Sequence, residues 1–213
     1  MRGAACAILA AACANAFAAG PDDKAGWYGG LDVGRSHLNM QGSDLDAVFA
    51  GQGITTGGSS LDRHATTWGL NLGYRFNKYF GLEGDYIDLG KYSYNSPATA
   101  PGADVIQGRY KAHAWALEPV GFLPLTHEWD LFGKVGLTST DANLSATSTT
   151  GATAPSGGSH SNAGWMLGAG TTYDFTRNLY GKLEFDHYSR VGDGGTTGKS
   201  NADVIGAGIG VRF

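Results

Sequence analysis

The sequence predicts an eight-stranded antiparallel β-barrel that crosses a membrane, and three observations predict it. Eight segments alternate apolar residues with small or charged ones at a period of two. Glycine supplies 35 of 213 residues while charged residues make up only 16%. The polar connections between segments alternate between short and long.

Successive side chains on a strand point to opposite faces, so each segment divides into two sets. Trp27, Leu31 and Val33 oppose Tyr28, Asp32 and Gly34. Trp68, Leu70, Leu72, Tyr74 and Phe76 oppose Gly69, Asn71, Gly73 and Arg75. Phe80, Leu82 and Tyr86 oppose Glu83 and Asp85; Trp115 and Leu117 oppose Ala114, Ala116 and Glu118. Leu131, Val135 and Leu137 oppose Asp130, Lys134 and Gly136. Trp165, Leu167, Ala169, Tyr173 and Phe175 oppose Gly164, Gly168, Gly170 and Thr172. Leu179, Leu183 and Phe185 oppose Lys182, Glu184 and Asp186. In the last segment Ile205, Ala207, Ile209, Val211 and Phe213 oppose Gly206, Gly208, Gly210 and Arg212. In lipid every backbone N–H and C=O must be paired, and a closed barrel with an even strand number meets that requirement.

Short turns follow Phe76, Leu123 and Phe175, whereas long loops rich in Gly, Ser and Thr are expected over 36–65, 93–108, 139–161 and 190–201. Short periplasmic turns and long extracellular loops are the outer-membrane arrangement, which puts both termini on the periplasmic side. Tyr74, Phe76, Tyr79, Phe80, Trp129, Tyr173, Phe175 and Phe213, joined by Trp27, then form an aromatic girdle at the periplasmic interface. Trp68, Tyr86 and Trp115 sit further up the wall.

Residues 1–18 read as an export signal: Arg2, then the apolar stretch Ala4 to Ala14, then small residues that offer cleavage after Ala16 or Ala18. The barrel domain occupies 19–213. Both cysteines, Cys6 and Cys13, fall inside the signal, so the mature chain has no thiol for a disulfide or a metal site. The net charge of −4 and the lack of a basic stripe argue against nucleic acid.

Thr67 to Phe76, running into Phe80-Gly81-Leu82-Glu83-Gly84-Asp85-Tyr86, resembles the OmpA-like transmembrane barrel family, as do Leu179 to Tyr188 and the final strand. The resemblance covers about 26–213. It implies a monomeric barrel in the Gram-negative outer membrane, in contact with lipid and lipopolysaccharide. It further implies that Phe213 acts as the signal read by the barrel-assembly machinery. No peptidoglycan-binding domain follows Phe213, so cell-wall tethering is not expected, and the barrel-only adhesion and opacity-type proteins are the closer comparison.

Arg75, Glu83, Asp85, Glu118, Lys134, Lys182, Glu184, Asp186 and Arg212 carry inward parity. Eight strands enclose a lumen just wide enough for side chains to fill, and buried charges must pair. A salt-bridged plug follows, leaving at most a narrow or gated pore. The resemblance places Glu83, Lys134 and Lys182 where the family has an interior acid–base cluster. It also puts Thr172 at a further interior acid of the family and Val120 at an interior lysine.

One enzymatic reading competes. His187 and Ser189 are two apart, so on a regular strand they share a face, and Asp203 on the next strand could orient the histidine. This loosely resembles outer-membrane lipid A deacylases, although those use Glu as third member. A three-residue match is weak, and a strand end entering a loop is the expected identity of this segment. His37, His64, His113, His127 and His160 show no metal-ligand spacing in sequence. No metal and no cofactor is expected, and the loops, which would meet a host or surface ligand, hold no readable motif.

Overall fold

The computed structural model describes residues 24–191 and 200–213. The predicted export signal, both cysteines and residues 192–199 of the fourth long connection lie outside the described residues.

The chain forms β1 (Gly26–Leu38), helix α1 (Gly42–Ala50), two short strands β2 (Thr55–Thr56) and β3 (Ser60–Leu61), then β4 (His64–Arg75), β5 (Phe80–Ala100), β6 (Asp104–Pro124), β7 (Trp129–Ser148), β8 (Gly158–Asp174), β9 (Leu179–Val191) and β10 (Ser200–Arg212). The eight long strands pair antiparallel with their sequence neighbours, and β1 pairs with β10, which closes the barrel. The expected parity holds along the membrane stretch: Leu70 and Ile209 are 46% and 61% exposed, while Arg75, Glu118 and Lys134 are buried. Two aromatic levels frame this stretch. Trp27–Tyr74 and Trp129–Tyr173 ring pairs lie near the termini, 5.3 and 4.8 Å between centroids. Trp68, Tyr86 and Trp115 form the upper level, with Tyr86 5.6 Å from Trp68 and 4.7 Å from Trp115.

The long loops expected at 93–108 and 139–161 are mostly strand. Only 101–103 separates β5 from β6, and only 149–157 separates β7 from β8. β5 and β6 each run 21 residues, about 70 Å of chain at roughly 3.3 Å per residue. Even tilted by about 45°, that exceeds a hydrocarbon core of about 30 Å, so the barrel projects well beyond the membrane. The Ser/Thr/Gly composition suggested loops because the projecting wall faces water. Its inner face is apolar: Tyr92, Tyr94, Ile106, Tyr110, Ala112, Ala142 and Leu144 pack into one core.

The segment expected as a loop at 36–65 holds α1, which folds over the extracellular mouth. Asp44 in its first turn accepts the Gln41 N–H at 2.8 Å, and a carboxylate there also suits the helix dipole. Leu45, Val48 and Phe49 are buried, with the Phe49 ring 6.0 Å from Tyr94. Asp46 accepts Thr56 Oγ1 at 2.6 Å and Ser59 Oγ at 2.5 Å. Across the mouth, the Ser156 N–H donates to Gln52 Oε1 at 2.9 Å, and Gln52 Nε2 donates to the Ser156 carbonyl.

Candidate functional site: the barrel interior and the outer wall above it

Every residue predicted for the interior network faces the lumen, and the structure sorts them into two clusters. The central one is built on Lys134 of β7. Its Nζ lies 2.9 Å from Asp85, 3.3 Å from Glu184, 3.5 Å from Glu118 and 3.6 Å from both Glu83 and Asp186. Lys182 stands beside it, 3.1 Å from Glu184 and 2.9 Å from Asp32, and Asn71 Nδ2 donates to Asp32 at 3.1 Å. Two lysines thus face six carboxyl groups, which leaves the centre of the lumen acidic.

Glycines opposite the long side chains make the plug fit. A Cβ on Gly168 would run into the Asp186 carboxylate and the Lys134 stem, and one on Gly208 would run into Asp32. The glycines at these interior positions therefore relieve crowding.

The second cluster lies at the periplasmic end. Arg75 and Arg212 belong here, not to the Lys134 group. Arg75 Nη1 donates to Asp130 at 2.8 Å, and its guanidinium stacks 3.9 Å from the Phe122 ring centroid. Lys24 reaches Asp130 at 3.1 Å and Asp174 at 3.0 Å. Arg212 pairs with Asp174 at 2.5 Å and lies over the Tyr180 ring. Sequence reasoning missed Asp32, Asp130, Asp174 and Lys24 as network members. Asp130 has the parity of Lys134, and Asp32 that of Tyr28, so period two carried the signal for both; Lys24 precedes the first strand and had none.

Between the clusters is a cavity of about 20 Å³, lined by aromatic rings (Tyr28, Phe122, Phe132, Tyr180) and by Val120 and Thr172. That is room for about one water. Val120 and Thr172 are the two positions where the resemblance expected a lysine and an acid. Both positions are uncharged here, while Arg75 and Arg212 from one cluster and Glu83 and Lys182 from the other also line the cavity.

The outer wall above the upper aromatic level corrects the enzymatic reading. His187 Nδ1 does lie 2.6 Å from Asp203 Oδ1. Ser189, however, does not share the face of His187. At the end of β9 Arg190 adopts a φ of +57° and the pairing with β10 shifts register. This bulge turns Ser189 inward, where it is 5% exposed and spends its hydroxyl on the Trp165 backbone, donating to the carbonyl at 2.8 Å and accepting the N–H at 2.9 Å. A bulge adds one residue to one strand and so reverses the phase after it. Partial burial pushes the Asp203 carboxyl up, but hydrogen bonds from His187 and Asn39 outweigh it and hold the group below its usual range.

The histidines also differ from their sequence reading. His37 faces His64 in the β1–β4 register, with Nδ1 and Nε2 3.1 Å apart. Twenty-six intervening residues hid this pair from any spacing argument. The one triplet of buried groups close enough to share a cation among the described residues is Glu83, Asp85 and Glu118, and Lys134 already stands against all three.

The profile of the OmpA-like transmembrane domain family matches residues 22–213. Outer membrane protein A of Serratia marcescens is 28% identical over 97% of the chain and 54% of its own length, so the chain spans about half of the curated relatives it matches. Among solved structures, Neisserial surface protein A superimposes at a TM-score of 0.58 with 15% identity, over 88% of this chain and 97% of that one. The outer membrane protein OprG of Pseudomonas aeruginosa gives 0.55 with 14% identity, over 89% and 96%.

Proposed function

The chain belongs to the OmpA-like transmembrane family of Gram-negative outer-membrane barrels, and from that premise we propose a structural and surface-interaction role with a closed lumen. The observation that carries this reading is the double seal. Lys134 and its five carboxylates fill the membrane stretch, and an apolar core roofed by α1 fills the projecting stretch. A hydrated ion passing through would have to displace both. The projecting wall, polar outside at Lys91, Ser93 and Asn95, then serves as a rigid stalk that presents its tips to a host or surface ligand. The barrel works as a monomer held by lipid and lipopolysaccharide and delivered by the barrel-assembly machinery, with Phe213 as its recognition signal.

Purified protein in planar bilayers tests the seal. Small or no conductance is expected, and because the lumen is acidic, any current should be carried by cations. A large steady conductance without selectivity overturns the reading. The hydrolase reading lacks support from the placement of Ser189, and unchanged lipid A mass spectra between wild type and Ser189→Ala would agree with the non-enzymatic role.

A further inference from the structure

We propose that His37 and His64 form a binding site for a divalent metal ion of the zinc class on the outer wall of the barrel. The two residues are direct partners across β1 and β4, and both have outward parity just above the upper aromatic level. Their facing nitrogens are 3.1 Å apart, with ring centroids 4.7 Å apart and ring planes tilted by 52°. Two zinc–nitrogen bonds of about 2.0–2.1 Å, opened to about 100–110°, span roughly 3.1–3.4 Å. The wall therefore already holds one edge of a tetrahedral site at the right length.

The same level of the wall supplies the neighbouring anion. Asp203 is the β10 register partner of His37, and His187 is the β9 partner of Asp203. His64, His37, Asp203 and His187 thus form a row across four adjacent strands. Asp203 is fixed by His187 Nδ1 at 2.6 Å and by Asn39 Nδ2 at 2.7 Å. It is held by these two groups and not by the pair itself, so it acts on a dication there only through space, as a neighbouring negative charge.

Without metal, one imidazole N–H donates to the lone pair of the other. On binding, that hydrogen bond breaks and two metal–nitrogen bonds form. The donor ring moves its proton to its outer nitrogen, so a neutral pair releases no net proton. Water fills the remaining positions. The site also has a structural consequence, because His37 and His64 flank the segment that carries α1. The Leu38 N–H donates to the Arg63 carbonyl at 2.8 Å at the same point. A bound ion would pin the base of the roof.

The test uses the untagged mature chain, 19–213, which is without Cys6 and Cys13, refolded in detergent micelles. Calorimetric titration with zinc chloride is expected to show one saturable site per chain. His37→Asn and His64→Asn should each weaken it by about tenfold or more, and Asp203→Asn, which removes only a neighbouring charge, by a smaller factor. His113→Asn, which removes a histidine paired with Asp141 elsewhere on the wall, should leave it unchanged. Copper(II) bound to the wild-type protein should show an electron-paramagnetic-resonance spectrum with two coupled nitrogens, a readout that needs no variant to fold. Absence of saturable zinc uptake, equal affinity in the His37→Asn/His64→Asn double variant, or a copper spectrum without nitrogen coupling overturns the proposal.

Discussion

Replacing Lys134 with methionine probes the interior most directly. The Met side chain keeps most of the stem that packs against Gly168 but removes the ammonium group. Five carboxylates within 3.6 Å lose their shared cation, and Lys182 touches only one of them, Glu184. Lys134 is 3% exposed, so water screens little of the loss. Breaking a buried ion pair by removing one partner costs about 3–5 kcal/mol, a large share of the roughly 5–15 kcal/mol that holds a domain folded. With a urea slope of about 2 kcal/mol/M, the unfolding midpoint should fall by roughly 2 M. Tryptophan fluorescence during urea titration of protein in lipid vesicles measures it, with heat-dependent gel mobility as the check on folding. Lys24→Met is the comparison: it loses two partners, but Lys24 is 19% exposed and at the lumen's end, so its midpoint should shift less. If Lys134→Met and wild type unfold at the same urea concentration, the central cluster is not what holds the plug.

Two further outcomes follow from the geometry. Gly168→Ala pushes a methyl group into Asp186 and Lys134 and should destabilise the barrel by about 1–3 kcal/mol. Gly84→Ala, whose nearest neighbours are 3.9 Å away, should be close to neutral in the same urea titration. At the extracellular tip, hydrogen bonds from Ser148, Thr153 and Thr150 hold the Asp104 carboxyl far below the usual range. Its contribution is then fully present above about pH 4 and is lost only as pH falls through the depressed value. Amide exchange of 149–157, corrected for intrinsic rates, should therefore be equal at pH 7 and pH 5, and Asp104→Asn should raise it at both. A rise between pH 7 and pH 5 in the wild type would contradict this.

The membrane stretch was legible in the sequence because lipid imposes a single rule on each strand. Any residue facing acyl chains must be apolar, so charge can only face inward, and period two reveals both faces at once. Thus Lys134, Glu118 and Arg212 could be placed without a structure. Their partners were harder. Which acid meets which base depends on register and barrel shear, and parity alone cannot separate Arg75 from Glu83. The projecting half was misread as loops for a related reason. Outside the membrane the outward residues are Ser, Thr and Asn, and the apolar alternation of Tyr92, Tyr94, Ile106 and Tyr110 is diluted by them. Ser189 was misassigned because a bulge shifts phase without leaving a clear mark in composition.

In β5 and β9 a bulge sits where the interior changes character, whereas β7 makes the same change with its alternation unbroken. Below, lipid outside forces polarity inward. Above, water outside allows the hydrophobic effect to fill the lumen with apolar side chains. In β5 the change of phase occurs at Leu89 and Gly90, consecutive residues that both point inward. Gly90 has a φ of +95°, where a side chain is strained, and a Cβ there would meet Ala65 and the Thr66 carbonyl. The Asp88 carboxylate accepts the Gly90 N–H at 2.8 Å and fixes the kink. Gly90→Val should therefore oppose the bulge, and a β5 without it would carry Tyr92 and Tyr94 out of the core into water. The membrane stretch below needs no bulge in β5, so it should survive. Limited trypsin digestion should then cut the variant at Lys91, Arg109 or Lys111 while heat-dependent gel mobility persists, whereas the wild type resists. A protease-resistant Gly90→Val barrel would mean that the upper core does not depend on the phase change.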